Sequence, residues 1–275
     1  MKNQINKIKI IKIGGRVMDD TQQLEQFFGA LSKQNVPFIL VHGGGDKVNK
    51  LVEKFHITPQ FVDGRRITDN KSLEAVVMML AGWINKDIVA SLQAKGLNAW
   101  GLTGVDANLV MCDKRCMQKY DFGFVGDVKS VNVSPLLMLL EHGITPVLSP
   151  ITHDGKGQLL NTNADTFAAS IAINLAIIQG IEIELYYCLD LQGVYENLDQ
   201  PDSLIAVLDE DKFKDCHAQG MIKEGMIPKL QNCFSALERG VSKIYVSNAT
   251  QIIQLLIGLK FKGTAIVKKE KSIHV

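Results

Sequence analysis

KIKIIKIGG (7–15) and PFILVHGGG (37–45), with TQQLEQFFGALSKQ (21–34) between them, decide the fold. Each flanking stretch is a short apolar run closed by glycines, as a buried strand requires. In the middle stretch Leu24, Phe27, Phe28 and Leu31 recur at i, i+3, i+4 and i+7, one face of a helix. The switch from strand to helix and back to strand is the βαβ pattern of an α/β sheet. The same reading extends to the rest of the chain. DKVNKLVEKF (46–55) is helical, and PQFVDGRRIT (59–68) is a hairpin or irregular loop around Asp63-Gly64. A helix covers 69–95 with Thr68 or Asp69 as its N-cap. Residues 98–131 are glycine-punctuated with short β-like pieces, a β-rich excursion rather than another βα unit. After a helix near 134–142 come a strand at 145–151 and a loop turning into helix over 159–177. A strand and turn occupy 183–195, helices lie near 209–219, 228–239 and 251–258, and strands at 242–247 and 263–269. No repeat, low-complexity tract or linker interrupts the pattern, so 275 residues form one large domain or two closely packed lobes.

Composition excludes several classes of function. Lys and Arg number 30 against 29 Asp and Glu, a net charge of +1, which lacks the basic field that nucleic acid or an anionic membrane needs. Lysines break the apolar run of the N-terminus, defeating a signal peptide, and no apolar stretch is expected to reach the roughly 18 residues of a spanning helix. The five cysteines (112, 116, 188, 216 and 233) show no regular spacing, so reduced thiols in a cytoplasmic protein are expected rather than a disulfide framework or a structural metal. The six histidines lack metal-ligand spacing, and His42 reads as a buried hydrogen-bonding residue rather than a base.

Chemistry concentrates at the strand ends. Gly14-Gly15 and Gly43-Gly44-Gly45 follow apolar strands, where backbone amides and a helix N-terminus cradle an anion. Neither matches GxGxxG, and no GxxxxGK[ST] occurs, so a Rossmann dinucleotide site and a P-loop are both disfavoured. A tight turn accounts for either cluster alone. Lys12 interrupts an apolar strand two residues before Gly14, either facing water from an edge or meeting an anion at the strand end. Asn161-Thr-Asn163-Ala-Asp165 stands where loop becomes helix; capping explains any one of these residues, less well all three. Lys229 follows Pro228 in a helix's first turn, where it opposes the macrodipole and calls for a nearby anion, unless it is simply solvated. Arg65 and Arg66 are able to form a carboxylate clamp or sit on a surface loop.

Taken together, IIKIGG (10–15), VHGGG (41–45), GRRIT (64–68), NTNAD (161–165), LDLQGVY (189–195) and EGMIPK (224–229) resemble, in order, the motifs of the amino-acid kinases and, within them, the N-acetylglutamate kinases. The resemblance spans nearly the whole chain. It departs at Leu189-Asp190, where members commonly carry Thr-Asp, and at Glu224-Gly225-Met226, where they carry Gly-Gly-Met.

The resemblance implies a three-layer αβα sandwich around a central, mainly parallel sheet of about eight strands. The lobe of residues 1–180 would bind the acylated amino acid and that of 181–275 would bind ATP. Lys12 and Lys229 would stabilise the transferring phosphoryl group, with Asp165 holding both lysines. Gly44, Gly45, Arg66, Asn161 and Asn163 would bind the amino acid; Gly14, Gly15, Asp190, Gly193 and Tyr195 would lie near the nucleotide. The implied reaction is ATP- and Mg²⁺-dependent phosphorylation of the γ-carboxylate of N-acetyl-L-glutamate, a step of arginine biosynthesis. An N-succinyl substrate, or a non-catalytic binding protein of the same fold, is the alternative. Because the acceptor carboxylate is already ionised near neutral pH, no general base is required, which agrees with the lack of any catalytic triad. Arginine-inhibited hexameric members add an N-terminal helix, whereas this chain enters its first strand within about ten residues. A cytoplasmic homodimer without arginine feedback is therefore expected.

Overall fold

The computed structural model describes residues 5–62, 65–116, 120–222 and 226–269. Along the chain β1 (Lys7–Ile13), α1 (Thr21–Leu31), β2 (Phe38–His42) and α2 (Gly45–Lys54) alternate as the sequence predicts. The hairpin of β3 (Phe61–Val62) and β4 (Arg65–Arg66) follows; Asp63 and Gly64 lie outside the described residues. One continuous helix then combines α3 (Asn70–Val77), a π-helical turn (Met78–Ile84) and α4 (Asn85–Gln93). Next come β5 (Ala99–Thr103), β6 (Val110–Lys114), β7 (Val125–Val131), α5 (Ser134–Glu141), β8 (Thr145–Ser149), β9 (Ile151–His153) and β10 (Leu159–Thr162). The remainder runs α6 (Ala164–Ala176), β11 (Glu182–Leu189), β12 (Val207–Leu208), α7 (Glu210–Ala218), α8 (Ile227–Glu238), β13 (Lys243–Asn248), α9 (Ala249–Leu256) and β14 (Thr264–Ile266).

Eight strands form the central sheet in the order β12-β14-β13-β11-β1-β2-β8-β5, parallel except where β14 runs against β13. Alternation along each strand divides the core in two. Ile11, Ile13, Leu40 and Tyr186 pack beneath α1, α2, α3, α4 and α9. Ile8, Ile10, Val41 and Leu185 pack beneath α5, α6 and α8. The result is the expected αβα sandwich. β1 pairs with β2, its successor in the chain, on one side and with β11 on the other. The strand order therefore switches direction beside β1, and an open α/β sheet offers its ligand crevice outside the carboxyl ends at such a point. At the opposite end of the same strands the buried Glu184 carboxylate accepts from the Tyr186 hydroxyl at 2.7 Å and meets Lys7 at 2.9 Å. These contacts lock the β1–β11 register that carries the crevice.

Three sequence readings need correction. Residues 99–103, assigned to the β-rich excursion, pair with β8 as the last strand of the main sheet. The excursion proper is β6 and β7, which close a small barrel with β9 and β10. Residues 159–162, read as a loop, are strand β10, held by β7 and β9. The helix over 70–93 is, by length and composition, long and apolar enough to cross a bilayer, contrary to expectation. In the fold it lies on the sheet instead, with Leu73, Val76, Leu80, Ile84, Ile88 and Leu92 buried. Asp69 is its N-cap, accepting from the Ser72 amide at 2.8 Å.

Candidate active site at the strand ends

β1 delivers Lys12 to the crevice. Its side chain points to the α6 face and is 11% exposed, so its charge demands a partner. That partner is Asp165, whose Oδ1 lies 2.8 Å from Lys12 Nζ. Asp165 occupies the first turn of α6, where a carboxylate suits the helix dipole. Asn163 caps this helix, its Oδ1 accepting from the amides of Asp165 (3.0 Å) and Thr166 (3.1 Å). From β11 the Tyr187 hydroxyl donates to the Asp165 carbonyl at 3.0 Å, pinning the same turn from below. Lys229 arrives from the first turn of α8 and places Nζ 3.3 Å from Asp165 Oδ2. Two ammoniums 217 positions apart in sequence thus share one carboxylate. Burial alone would raise the pKa of Asp165; Lys12 and then Lys229 overcome it and hold the carboxyl at about 2. Asp165 is ionised at neutral pH and serves as no proton acceptor.

A cavity of about 210 Å³ opens beside this trio, lined by Lys12, Gly14, Asp190 and Lys229 among others. A Cβ on Gly14 would stand 2.7 Å from Lys12 Nζ, so a larger residue there would push the ammonium from its place. Cys188 also lines the cavity, but burial pushes its thiol up to about 12, leaving it neutral. Through Leu191, Met226 and Lys229 the polar cavity adjoins a more apolar one of about 150 Å³ lined by Gly193, Val194, Tyr195 and Ile222. Two residues absent from the sequence reading brace that loop. The Ser247 hydroxyl donates to the Gln192 carbonyl at 2.5 Å, and Thr264 Oγ1 accepts from the Val194 amide at 2.8 Å. Both are small hydroxyls on neighbouring strands and carry no motif of their own. Of the EGMIPK stretch, Glu224 and Gly225 lie outside the described residues.

On the other side of β1 the second glycine cluster closes β2. The Gly43 amide donates to the Ile13 carbonyl at 2.9 Å, tying this loop to the first; Gly15 opens a 3₁₀ turn (Gly15–Met18). Gly44 is the N-cap of α2 and Gly45 its first residue, with φ of +56°. A Cβ on Gly44 would meet Val48 Cγ2 at 2.1 Å, so only glycine fits. The first amides of α2 have no intrahelical acceptors; that of Asp46 donates to Asp19 Oδ2 at 3.1 Å, which leaves those of Gly44 and Gly45 as the candidate anion cradle.

Arg66 and Asn161 lie outside the two cavities and are joined to each other through Thr68. Thr68 Oγ1 donates to the Arg66 carbonyl at 3.1 Å and accepts from Asn161 Nδ2 at 3.1 Å. The Arg66 guanidinium stacks 4.7 Å over the Phe61 ring, and its Nη2 donates to Asn49 Oδ1. Its Nη1 is buried without a partner, a donor set up for an anion. Asn49, on α2, went unnoticed in the sequence because a lone helical asparagine carries no signal.

Residues 7–248 match the sequence profile of the amino acid kinase family. An acetylglutamate kinase of Cytophaga hutchinsonii is 43% identical over 96% of this chain and 99% of its own length. One of Phocaeicola vulgatus is 45% identical over 90% and 95%. Among solved structures, an N-acetylglutamate synthase from Neisseria gonorrhoeae superposes with a TM-score of 0.78 at 21% identity, covering 96% of this chain and 60% of that one. Carbamate kinase from Giardia lamblia gives 0.67 at 14% identity, covering 96% and 99%, and shares the fold. The chain belongs to the amino acid kinase family, alongside the acetylglutamate kinases.

Proposed function

We propose that the chain transfers the γ-phosphoryl group of ATP to the side-chain carboxylate of N-acetyl-L-glutamate, as its acetylglutamate kinase relatives are named for doing, and so serves arginine biosynthesis. The observation that carries the reading is the meeting of Lys12 and Lys229 on Asp165 at the mouth of a polar cavity. The acceptor is an anion that must approach an anionic phosphate in line, and the barrier is mutual repulsion rather than proton removal. Lys12 and Lys229 neutralise the charge spread over the transferring oxygens from two sides. Asp165 holds both ammoniums in place, and the amides of Gly44 and Gly45 complete the cradle.

The acylglutamate belongs to the lobe of residues 1–180. Arg66 Nη1 meets its carboxylate, and Asn161 and the amide nitrogen of Asn163 provide further polar contacts. ATP belongs to the lobe of 181–275, with its phosphates over Gly14, Gly15 and Asp190 and its base in the apolar cavity at Gly193 and Tyr195. Mg²⁺ enters as part of the nucleotide substrate, bound to its phosphates. The working unit is a cytoplasmic homodimer. Trp83 and Met78 on the long helix and Trp100 on the last strand of the sheet, each at least half exposed, supply its apolar contact surface.

Hydroxylamine traps an acyl phosphate as a hydroxamate, which gives a direct assay. ATP-dependent hydroxamate should form with N-acetyl-L-glutamate and exceed that with N-succinyl-L-glutamate. Faster turnover of the succinyl compound would reassign the acyl group; no turnover of either would remove the kinase reading.

A further inference from the structure

The reaction proposed above leaves one fully buried ionisable ring unused, and its place in the fold gives it work. His42 ends β2 directly before the three glycines, and its ring has no solvent exposure. Nδ1 lies 3.1 Å from the Gly43 carbonyl, and Nε2 lies 3.1 Å from Asn85 Nδ2. A carbonyl only accepts, so Nδ1 carries the proton; an amide nitrogen only donates, so Nε2 is bare. The Asn85 amide has no freedom to turn over and reverse this. Its nitrogen also donates to the Val147 carbonyl at 3.0 Å, and its oxygen accepts from Lys86 Nζ at 3.2 Å. Lys86 is anchored in turn on the Gly101 carbonyl at 3.1 Å. Burial pushes His42 down to about 4 against the pull of the Gly43 carbonyl, with Lys86 adding to the lowering, so the ring stays neutral at physiological pH.

The consequence lies in the next peptide bond. In a planar trans peptide the carbonyl and the amide point in opposite directions, and no cis bond is present among the described residues. With the Gly43 carbonyl held against the ring, the Gly44 amide is turned to the opposite side of the peptide, away from the buried ring. Glycine stands on both sides of this bond, so a flip meets little steric resistance. A flipped peptide would present a carbonyl oxygen to incoming anions where an amide is needed. We infer that His42, set in one tautomer by Asn85, is a positioning residue that locks the Gly43–Gly44 peptide with its amide facing the reacting anions. The inference deepens the proposed phosphoryl transfer and rests on that reading for the identity of the anions.

The test begins with the unmodified protein. In ¹⁵N spectra of histidine-labelled protein, His42 should show a protonated Nδ1 and an unprotonated Nε2, unchanged between about pH 8 and 5 given its lowered pKa. A proton on Nε2, or titration within that range, overturns the lock. Kinetics supply the second arm. His42→Leu fills the apolar space without a donor and should lower kcat about 10²-fold, the scale of one preorganised donor, with KM values changed much less. His42→Asn places an amide nitrogen near the position of Nδ1 and should recover most of that loss. A folded His42→Leu protein with unaltered kcat, or loss of activity in His42→Asn equal to that in His42→Leu, refutes the assignment. Should the wild-type chain turn over no acylglutamate, the proposed reaction fails, while the ring tautomer still decides the lock.

Discussion

Asp165→Asn tests the charge arrangement by removing the shared counterion while keeping its shape. The Asp165 carboxyl falls from an ordinary 3.8 to about 2 in the folded chain. A depression of that size corresponds to about 2 kcal/mol of folding free energy, because one pKa unit is worth about 1.4 kcal/mol. The folded pKa lies below the unfolded one, so this stability is present above the unfolded value and is lost as pH falls through the folded value. It should be nearly complete at about pH 4, roughly halved at pH 3 and almost gone at pH 2. Urea unfolding at pH 7 should therefore show the asparagine variant about 2 kcal/mol less stable, with the gap closing by about half at pH 3. Lys229 is 45% exposed and Lys12 only 11%, so added salt should shrink the gap in part and leave the Lys12 share. Equal stability at pH 7, or a gap of the same size at both pH values, would refute the claim that this carboxylate is held ionised by two ammoniums.

Steady-state kinetics test the remaining side chains. Lys12→Ala and Lys229→Ala should each lower kcat by about 10²–10³-fold, the loss of one preorganised charge contact; near-normal kcat in either would contradict its role. Arg66→Ala should raise KM for the acylglutamate and leave that for ATP unchanged, and Asn49→Ala should move the same constant less, since it removes only the brace. An ATP-only effect would transfer Arg66 to the nucleotide. Gly193→Ala should raise KM for ATP, because the new Cβ would stand 2.6 Å from Thr264 Oγ1 and 2.7 Å from Leu204 Cδ1, displacing the loop that lines the apolar cavity; an unaltered KM would place the base elsewhere.

Where local chemistry carried the signal, the sequence was legible. Strand alternation set Lys12 on the face opposite Ile11 and Ile13 but left open whether it met water or an anion; the glycines marked both strand ends, and the Asn161–Asp165 stretch was readable as a cap and first turn. The α/β class followed from the alternation of strand and helix periods, and the eight-stranded, three-layer form from the family resemblance. What stayed hidden depends on pairings between distant segments. Nothing near Lys12 in sequence names Asp165 as its partner, a pairing that only the family resemblance implied, and nothing near His42 points to Asn85. The barrel strands were harder still. Leu159–Thr162 is four residues long and half polar, so its alternation is too brief to register, and its pairing with β7 is non-local. Residues 99–103 read as excursion because Gly101 weakens the strand pattern, yet that glycine is required: a Cβ would strike the Asn85 side chain at 2.0 Å.

The π-helical turn at Met78–Ile84 gives the long helix an unusual tolerance. At about 100° per residue an unbroken α-helix would set the buried Leu73 and Leu92, nineteen positions apart, about 100° out of phase. The wider turn takes up the surplus residue and restores the phase. Deleting one residue there, for example Gly82, should let the turn tighten to an ordinary α-helix while both flanks keep their seats. The same deletion within the four residues after Lys86 would swing Leu92 off the core by about 100°. Slack for a change of length is thus confined to a single turn.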